Sequence, residues 1–348
     1  MTPTPALELP PVPGADRPPE ARGIDRDGVR LLVSGPDGEV DRRFVDLPTL
    51  LRAGDLLVIN ESATLPASLP ARGEPGEFLA NLSTDYGRGL WLVEPRWSFA
   101  RPGPLPLAPG DRFVAGNVPF RVVAPYPGLP RLIFVRAEGD VREAMRRHGR
   151  PIRYGYLADG YSLSSYQTVF ARVPGSAEMP SAARPFTAEL VARLRARGVA
   201  FAGIVLHAGV SSLEIEPDGP LPILPEPFEV PAATVAAIRA ARRRGGRVIA
   251  VGTTVVRALE SAVDGCGLAA ARGFTRLYVA PGHPLRAFDG LLTGLHDART
   301  THLALLAAAA GTDRLARAYR HAVAAGYLWH EFGDSHLVLP IGGPGRSS

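Results

Sequence analysis

The sequence predicts an α/β fold: a mostly parallel sheet flanked by helices, with an inserted β-barrel domain. From about residue 155 onward, short buried-strand runs alternate with helical segments, a pattern typical of a parallel sheet covered on both faces. Between about 62 and 136, short apolar runs are separated by proline and glycine clusters, without a long helical period. That texture suits a small barrel or sandwich. With 348 residues, the chain has room for about two domains.

The elements predicted along the chain follow a regular order. Residues 1–23 are rich in proline and predict an extended arm, and β-type runs follow at 29–33 and 55–59. Thr187 is the type of residue that caps a helix, Pro231 opens a second helix, and a third begins after Gly252. The other predicted segments are strands at 90–93, 120–123, 199–206, 248–251, 277–280 and 338–340, and helices at 301–310 and 313–325.

The composition excludes several kinds of chemistry. All 39 basic residues are arginine, so mechanisms that need a lysine amine, such as the Walker A loop or a Schiff base, are ruled out. A single cysteine, Cys266, is too little sulfur for a thiolate zinc site, an iron–sulfur cluster or a disulfide framework. No HExxH pattern occurs, because His330-Glu331 lacks the second histidine, and we expect no metal.

Charge and hydropathy also bear on location and partners. No run of 18 apolar residues is present to span a membrane, and the N-terminus lacks a secretion-signal pattern, so we expect a cytoplasmic protein with no membrane partner. The net charge of +5 is compatible with an anionic partner such as RNA. A basic run surrounds His148 and is either a solvated helix face or a phosphate contact; it comprises Arg142, Arg146, Arg147, Arg150 and Arg153.

The predicted strand ends are the first place to look for a site, because ligands of parallel α/β sheets bind beyond the carboxyl ends of the strands. The strand at 199–206 is followed by His207, and the strand at 248–251 by Gly252-Thr253-Thr254 at a helix start. The glycine permits close backbone approach, and free helix-start amides can bind a carboxylate or a ribose oxygen. A plain helix cap by one of the threonines is the alternative interpretation.

Further candidates lie near this predicted edge. Arg257 and Glu260 share one face of the helix that follows Gly252, where they form either a solvated ion pair or part of the cleft. His296 precedes a predicted helix, and Asp334 follows Phe332-Gly333 in a predicted loop.

Read in order, short segments of the chain resemble the S-adenosylmethionine:tRNA ribosyltransferase-isomerases of queuosine synthesis. The resemblance spans nearly the whole chain, and its order and spacing make it specific. The matching segments are ELPP at 8–11, DLLVIN at 55–60, YQTVFA at 166–171, LHAGV at 206–210, FEVP at 228–231, RVIAVGTTVVRALE at 247–260, DGLLT at 289–293 with His296, and FGD at 332–334.

This resemblance implies an α/β S-adenosylmethionine-binding domain built from 1–60 and 151–348, with a β-barrel-like domain inserted at 61–150. It implies an enzyme that transfers and rearranges the ribosyl group of S-adenosylmethionine onto 7-aminomethyl-7-deazaguanine in tRNA, releasing adenine and methionine. S-adenosylmethionine is then a substrate, no metal is needed, and tRNA is the expected macromolecular partner.

The chemistry of that reaction suggests roles for individual residues. The positive sulfur acidifies the neighbouring C5′ protons, so a base must take one, and departing adenine must be protonated or hydrogen-bonded. We expect His207 or His296 to handle protons and Asp334 to orient a neighbour or the amino group. The donor would be held by the Gly252–Thr254 turn with Arg257. The expected substrate-binding residues are Asn60, Tyr166, Gln167, Ser181, Gly252, Thr253, Thr254, Arg257 and Glu260.

The chain departs from the family pattern at several places. The Pro-Thr-Ala-Gly-Leu-His-Phe-Thr motif corresponds to residues 180–187, where Pro185 replaces the histidine. Gly-Leu-Gly-Thr-Phe becomes residues 209–213, and Pro-Lys-Ser becomes residues 298–300. Two alternative functions therefore stay open: a family member that uses another acceptor, either a small molecule or water, and a non-catalytic nucleotide-binding protein.

Overall fold

The structure is a computed structural model that describes residues 12–210, 224–298 and 300–341. Parts of four sequence predictions lie outside these residues: positions 1–11 of the extended arm predicted at 1–23, the ELPP segment at 8–11, the altered residues 211–213, and Arg299 within the altered segment 298–300. Within the described part of the chain, no helix is both long and apolar enough to cross a bilayer.

The described residues form strands and helices in the following order. The strands are β1 (Arg30–Gly35), β2 (Gly38–Arg43), β3 (Leu56–Asn60), β4 (Ser62–Thr64), β5 (Ser68–Gly73), β6 (Gly76–Asp85), β7 (Leu90–Arg96), β8 (Arg112–Ala115), β9 (Val118–Tyr126), β10 (Leu129–Ala137), β11 (Val173–Ser176), β12 (Ala200–Leu206), β13 (Glu226–Val230), β14 (Val248–Val251), β15 (Val263–Asp264), β16 (Gly267–Leu268), β17 (Ala271–Thr275), β18 (Gly290–Gly294) and β19 (Ser335–Val338). The α-helices are α1 (Leu47–Leu50), α2 (Val141–His148), α3 (Ala188–Ala196), α4 (Ala232–Arg243), α5 (Thr253–Ser261), α6 (Thr301–Ala310) and α7 (Thr312–Ala324).

The larger sheet has nine strands in the order β17-β13-β12-β3-β14-β18-β19-β1-β2. Its centre, β12-β3-β14-β18, is parallel throughout, and β19 pairs in parallel with β1. The other four pairings, β17–β13, β13–β12, β18–β19 and β1–β2, are antiparallel. The sheet is therefore mixed, and the prediction of a mostly parallel sheet holds only for its centre.

Side-chain alternation along the central strands buries both faces of the sheet. On β3, Leu56 and Val58 pack into the core that contains residues of α4 to α7. Leu57 and Ile59, the intervening residues, pack into the opposite core with residues of α1 and α3. Successive side chains of a strand point to opposite faces, so a strand that is apolar at every position requires helices on both sides. The predicted flanking helices are present.

Strands β5 to β10 form a closed antiparallel barrel in the order β10-β7-β6-β5-β8-β9. Aromatic rings fill its interior: Phe113 stacks on Phe120 with ring centroids 5.3 Å apart, and Phe78 meets Phe113 edge-on at 5.4 Å. After the barrel, β11 returns to pair in parallel with β4, which directly follows β3. The barrel strands thus lie in the chain between β4 and β11, which pair with each other. The domain limits at 61 and 150 stay a prediction.

Sequence patterns located most helices but missed one central strand. Thr187 caps α3 as predicted, since its Oγ1 accepts a hydrogen bond from the backbone of Leu190 at 3.1 Å. The prediction of a strand at 277–280 is wrong. The backbone of Leu277 is bonded to side chains instead, with its N–H donating to Thr275 and its carbonyl accepting from Arg257. The sheet strand is β18, which starts ten residues after 280.

Candidate active site

A cleft of about 550 Å³ opens where the central parallel strands end. Strands β12, β3, β14 and β18 run in the same direction, so their carboxyl ends meet at one edge of the sheet, as the sequence argument requires. The cleft is lined by segments 154–156, 178–182, 252–254, 293–297, 300–302 and 330–331, together with Ala208.

The turn from β14 into α5 forms one side of the cleft. Gly252 has φ +98° and ψ 155°, a conformation that is almost restricted to glycine, and its N–H donates to the carbonyl of Leu292 at 2.8 Å. Within the described chain, no side chain caps α5, so neither Thr253 nor Thr254 acts as the plain helix cap. The first amides of a helix have no intrahelical acceptor, and both threonines line the cleft. The turn can therefore bind an anionic or hydroxyl group of a ligand.

Two histidines occupy the neighbouring side of the cleft. His296 Nε2 lies 2.9 Å from Thr293 Oγ1, and the rings of His296 and His302 are 4.8 Å apart. Burial, together with the nearby His302, holds the pKa of His296 well below 6.5, and burial and Arg257 lower the pKa of His302 to about 4. Both imidazoles are therefore neutral at pH 7. If the Thr293 hydroxyl donates to Nε2, the ring proton lies on Nδ1 of His296.

Another part of the cleft lining is aromatic and acidic; we call residues Tyr154, Tyr156, Glu178, His330 and Glu331 the acidic wall. Tyr154 donates a hydrogen bond to Glu178, and Tyr156 Oη donates to Glu331 Oε2 at 2.8 Å. The ring of His330 stacks on Tyr156 with centroids 4.4 Å apart. Burial, reinforced by the charge of Glu178, raises the pKa of Glu331 to about 7.

Two arginines close to the cleft segments, Arg257 and Arg184, are already held by carboxylates. Arg257 pairs with Glu226 through Nη1, and Glu226 also accepts from the backbone of Gly209 at 2.9 Å. Arg184 pairs with Glu20 at 2.9 Å. Because the chain also has no lysine, the carboxylates of the acidic wall give the cleft a negative character. A cleft of this kind favours a positively charged ligand.

Comparison with known proteins identifies the family. The sequence profile of a family described as "Queuosine biosynthesis protein" matches residues 6–338. The chain belongs to this family. The resemblance stated from the sequence segments is thereby confirmed.

Similar proteins extend over nearly the whole chain. Proteins named "S-adenosylmethionine:tRNA ribosyltransferase-isomerase" from Thermus thermophilus and Anaeromyxobacter dehalogenans are 38% and 39% identical to it. These matches cover 92% and 90% of this chain and 97% and 93% of the relatives. The crystal structure of an S-adenosylmethionine tRNA ribosyltransferase from Thermotoga maritima superposes with a TM-score of 0.54 at 29% identity, covering 96% of this chain and 99% of that one.

Five of the twelve site residues expected from the family segments line the cleft. They are Ser181, Gly252, Thr253, Thr254 and His296. Asn60 lies directly behind them: its Nδ2 donates to Leu206 O at 2.8 Å and to Thr254 Oγ1 at 3.3 Å. Asn60 therefore ties the ends of β3 and β12 to the helix start.

The remaining expected residues do not line this cleft, and their side chains contact other residues of the protein. His207 Nδ1 lies 2.7 Å from Ser62 Oγ, and Gln167 exchanges two hydrogen bonds with the backbone of Thr64. Their roles stay predictions. The others are fixed as follows: Tyr166 packs on Phe332, Glu260 accepts from the backbones of Arg286 and Ala287, Asp334 accepts from the backbones of Arg30 and Leu328, and Arg257 pairs with Glu226.

Sequence reasoning missed most of the acidic wall. Tyr154, Tyr156 and Glu178 lie in irregular segments after the barrel, where no periodicity or motif distinguishes them from other loop residues. In the sequence, His330-Glu331 is recognisable only as an incomplete metal-binding motif. Within the described ranges, no group of three or more metal-ligating side chains occurs.

The altered motif at 180–187 has a defined place in the structure. Pro185 is buried and is not among the residues that line the cleft, whereas Ser181 and Ala182 are. Arg184 occupies the leucine position of the family motif, is 2% exposed, and lies over the ring of Phe332 at 4.9 Å. Positions 184 and 185 of the altered motif therefore lie outside the cleft lining, and Arg184 contacts the residue that follows Glu331.

Proposed function

We propose that the chain is an S-adenosylmethionine-dependent ribosyltransferase-isomerase of queuosine biosynthesis. It transfers and rearranges the ribosyl group of S-adenosylmethionine onto 7-aminomethyl-7-deazaguanine in tRNA, and it releases adenine and methionine. The observation that carries the proposal is the cleft at the carboxyl ends of the parallel strands, where the family segments containing Ser181, Gly252–Thr254 and His296 meet. The names of the relatives, which give S-adenosylmethionine, tRNA and a ribosyltransferase-isomerase, support the proposal.

The proposed orientation of the donor follows from charge. S-adenosylmethionine carries a sulfonium cation, which matches the acidic wall, and a carboxylate, which matches the amides of Thr253 and Thr254. Among the described residues, Arg257 Nη2 is buried and has no hydrogen-bond partner, but Arg257 does not line the cleft, so its expected contact with the donor would need a shift of its side chain. No metal enters the proposal, because the sulfonium itself activates the ribose.

We assign His296 to the departing adenine. It is neutral at pH 7, half-buried, and part of the cleft lining, so its ring N–H can stabilise the charge that develops on the base as the glycosidic bond breaks. The other expected residues would act by position: Ser181 on the cleft surface, and Asn60, Tyr166, Gln167, Glu260 and Asp334 by holding the loops around it. We keep the proposal that His207, the residue directly after β12, takes part in proton handling.

Replacing His296 with alanine is expected to slow adenine release roughly 100-fold, the lower end for a positioned acid–base group, because adenine loses its hydrogen-bond donor. Adenine release is measured by chromatography, and S-adenosylmethionine binding by calorimetry. His207→Ala is the companion variant. If both variants release adenine at the wild-type rate, the assignment of proton handling to these histidines is wrong.

Incubation of the purified protein with S-adenosylmethionine separates the candidate functions. Adenine release only in the presence of tRNA that carries the aminomethyl deazaguanine is the expected result. Release with a small amine or with water alone would indicate a different acceptor. Binding without release under any condition would indicate a non-catalytic protein.

The proposed tRNA partner predicts a strong salt dependence. Helix α2 presents exposed arginines beside the barrel, although Arg146 and Arg147 both pair with Glu143. If the arginines of the basic run contact phosphates, tRNA affinity is expected to fall steeply with salt, with a slope of about −0.7 to −0.9 per contact in a log–log plot. The run comprises Arg142, Arg146, Arg147, Arg150 and Arg153. Filter binding across salt concentrations measures this slope, and a flat plot would exclude the surface. A tRNA partner also supports the cytoplasmic location expected from the sequence.

A further inference from the structure

We propose that Glu331 is a catalytic base of the cleft and that Tyr156 holds its carboxylate in position. The inference rests on the proposed function. In that reaction, Glu331 would remove the proton from C5′ of S-adenosylmethionine, the carbon next to the sulfonium sulfur. The last of the family segments, FGD, begins one residue after Glu331 and does not include it.

The geometry leaves one carboxylate oxygen available to a ligand. Tyr156 Oη donates to Oε2 of Glu331 at 2.8 Å, and both residues line the cleft. Across the described residues, Oε1 of Glu331 receives no hydrogen bond. Tyr156 is itself fixed on its other side by the stacked ring of His330. The carboxylate is therefore held through Oε2, and Oε1 remains without a hydrogen bond from the described part of the chain, in a residue that lines the cleft.

Charge brings the sulfonium to this wall. The carboxylates among the cleft residues are Glu178, Asp297 and Glu331, and Asp297 is half-exposed beside His330, with its Oδ2 3.7 Å from Nδ1. In S-adenosylmethionine, C5′ is bonded directly to the sulfonium sulfur. A sulfonium held against Glu178 and Glu331 therefore brings the C5′ hydrogens to the wall whose carboxylate would remove one of them.

The surroundings of Glu331 make it a stronger base than an ordinary carboxylate. Burial raises its pKa to about 7, Glu178 acts in the same direction, and Tyr156 and Arg184 act in the opposite one. A base whose pKa is near the working pH is partly ionised at that pH and still binds a proton well. The other titratable groups near it are Tyr166, whose own pKa is raised by burial and by Glu331, and the stacked His330.

Neither expected histidine is as well placed for this step. His296 is half-buried, its Nε2 is bonded to Thr293, and its pKa is well below 6.5, so it is a weak base. His207 lies outside the cleft lining and is bonded to Ser62. The carboxylate of Glu331 thus complements His296, which we assign to adenine.

The step balances as a simple proton transfer. The C5′–H bond breaks, the proton moves to Oε1 of Glu331, and the electron pair stays on C5′, where the adjacent positive sulfur stabilises it. Glu331 becomes a neutral carboxylic acid that still accepts the Tyr156 hydrogen bond through Oε2. Because Glu331 is half-buried and lines the cleft, the proton can return to solvent through the cleft before the next turnover.

The variant Glu331→Gln tests the proposal, because glutamine keeps an acceptor for Tyr156 but cannot take a proton. We expect adenine release to fall roughly 10²- to 10⁴-fold, while S-adenosylmethionine still binds. In wild type, the rate is expected to rise with pH through about 7 as Glu331 ionises, and the variant should lack this limb. Glu189→Gln, an exposed residue of α3, is the matched control and should behave as wild type.

A second variant and a second readout decide the remaining cases. Tyr156→Phe should lower the rate less than Glu331→Gln and shift the pH limb, since it removes the hydrogen bond but keeps the base. An unchanged rate in Glu331→Gln would overturn the proposal while leaving the proposed function intact. Recovery of the Glu331→Gln rate at high pH, where the acceptor amine is uncharged, would also overturn it, because Glu331 would then act on that amine. A wild-type protein that releases no adenine would overturn both.

Discussion

Replacing Gly252 with valine is expected to lower the affinity for S-adenosylmethionine roughly 100-fold, or about 3 kcal/mol at 1.4 kcal/mol per factor of ten. At φ +98° and ψ 155°, a side chain is strained whatever the space around it. A Cβ at this position would also lie 3.2 Å from Cβ of Ala182, which lines the cleft. To relieve the backbone strain and the close contact with Ala182, the start of α5 would have to move. The amides proposed to hold the donor carboxylate would then move with it. Titration calorimetry measures the affinity.

Gly245→Val is the matched control for this prediction. Gly245 also has a positive φ, +71°, but it is exposed after α4, and an added Cβ would meet nothing within 4 Å. This variant is expected to lose stability without losing affinity. If Gly252→Val binds S-adenosylmethionine as tightly as wild type does, the turn is not the donor site.

Replacing Asp55 with alanine is expected to lower the free energy of unfolding by about 3 kcal/mol, the lower end for a broken buried ion pair. Asp55 is fully buried at the start of β3 and accepts from Nη2 of Arg247 at 2.5 Å and from the backbones of Arg52 and Arg247 at 2.9 and 3.0 Å. The guanidinium is 26% exposed and can be partly rehydrated, which limits the loss. Urea unfolding measures the effect.

The same contact predicts a direction for the pH dependence of stability. Burial alone would raise the pKa of Asp55, but the hydrogen bonds from Arg247 and Arg52 outweigh it and hold the pKa below 3.8. Its contribution is therefore complete only above about pH 5, well above the unfolded-state pKa, and is lost progressively as the pH falls through the lowered folded-state pKa. Asp55→Ala should lack this acid-sensitive part of the stability. A wild-type-like acid profile in the variant would show that Asp55 carries none of it.

Glu77→Ala is the control for an arginine–carboxylate pair without burial. Arg72 and Glu77 are 2.7 Å apart, but their side chains are 77% and 78% exposed. Such pairs contribute at most about 1 kcal/mol. Equal losses in Asp55→Ala and Glu77→Ala would contradict the role assigned to burial.

Part of the fold was predictable because local patterns there agree with the tertiary structure. The Thr187 cap and the glycines that end α3 and α4 act within a few residues, and the alternating apolar runs require two covered faces. The strand order was not predictable in the same way. β19 enters the sheet antiparallel to β18 and parallel to β1, and pairing between strands about 300 residues apart leaves no local signal.

The same division applies to the candidate site. The turn at Gly252–Thr254 was predictable because one short segment contains both the strand end and the helix start. The pair formed by Tyr156 and Glu331 was not, since its members are 175 positions apart and each is an ordinary loop residue in sequence. Conversely, Glu260 and Asp334 were expected at the site, but their carboxylates accept hydrogen bonds from backbone amides elsewhere in the protein. The sequence alone does not show that these amides lie next to the carboxylates.

The amino-acid sequence by itself determined the family, the absence of lysine chemistry and the strand-end turn, because each is a property of residue identity or of short spacing. Only the tertiary structure decided which carboxylates and rings share the cleft with that turn. Chain folding sets the distances between residues that are remote in sequence. Burial then sets their charge states, as the raised pKa of Glu331 and the lowered pKa of His296 illustrate.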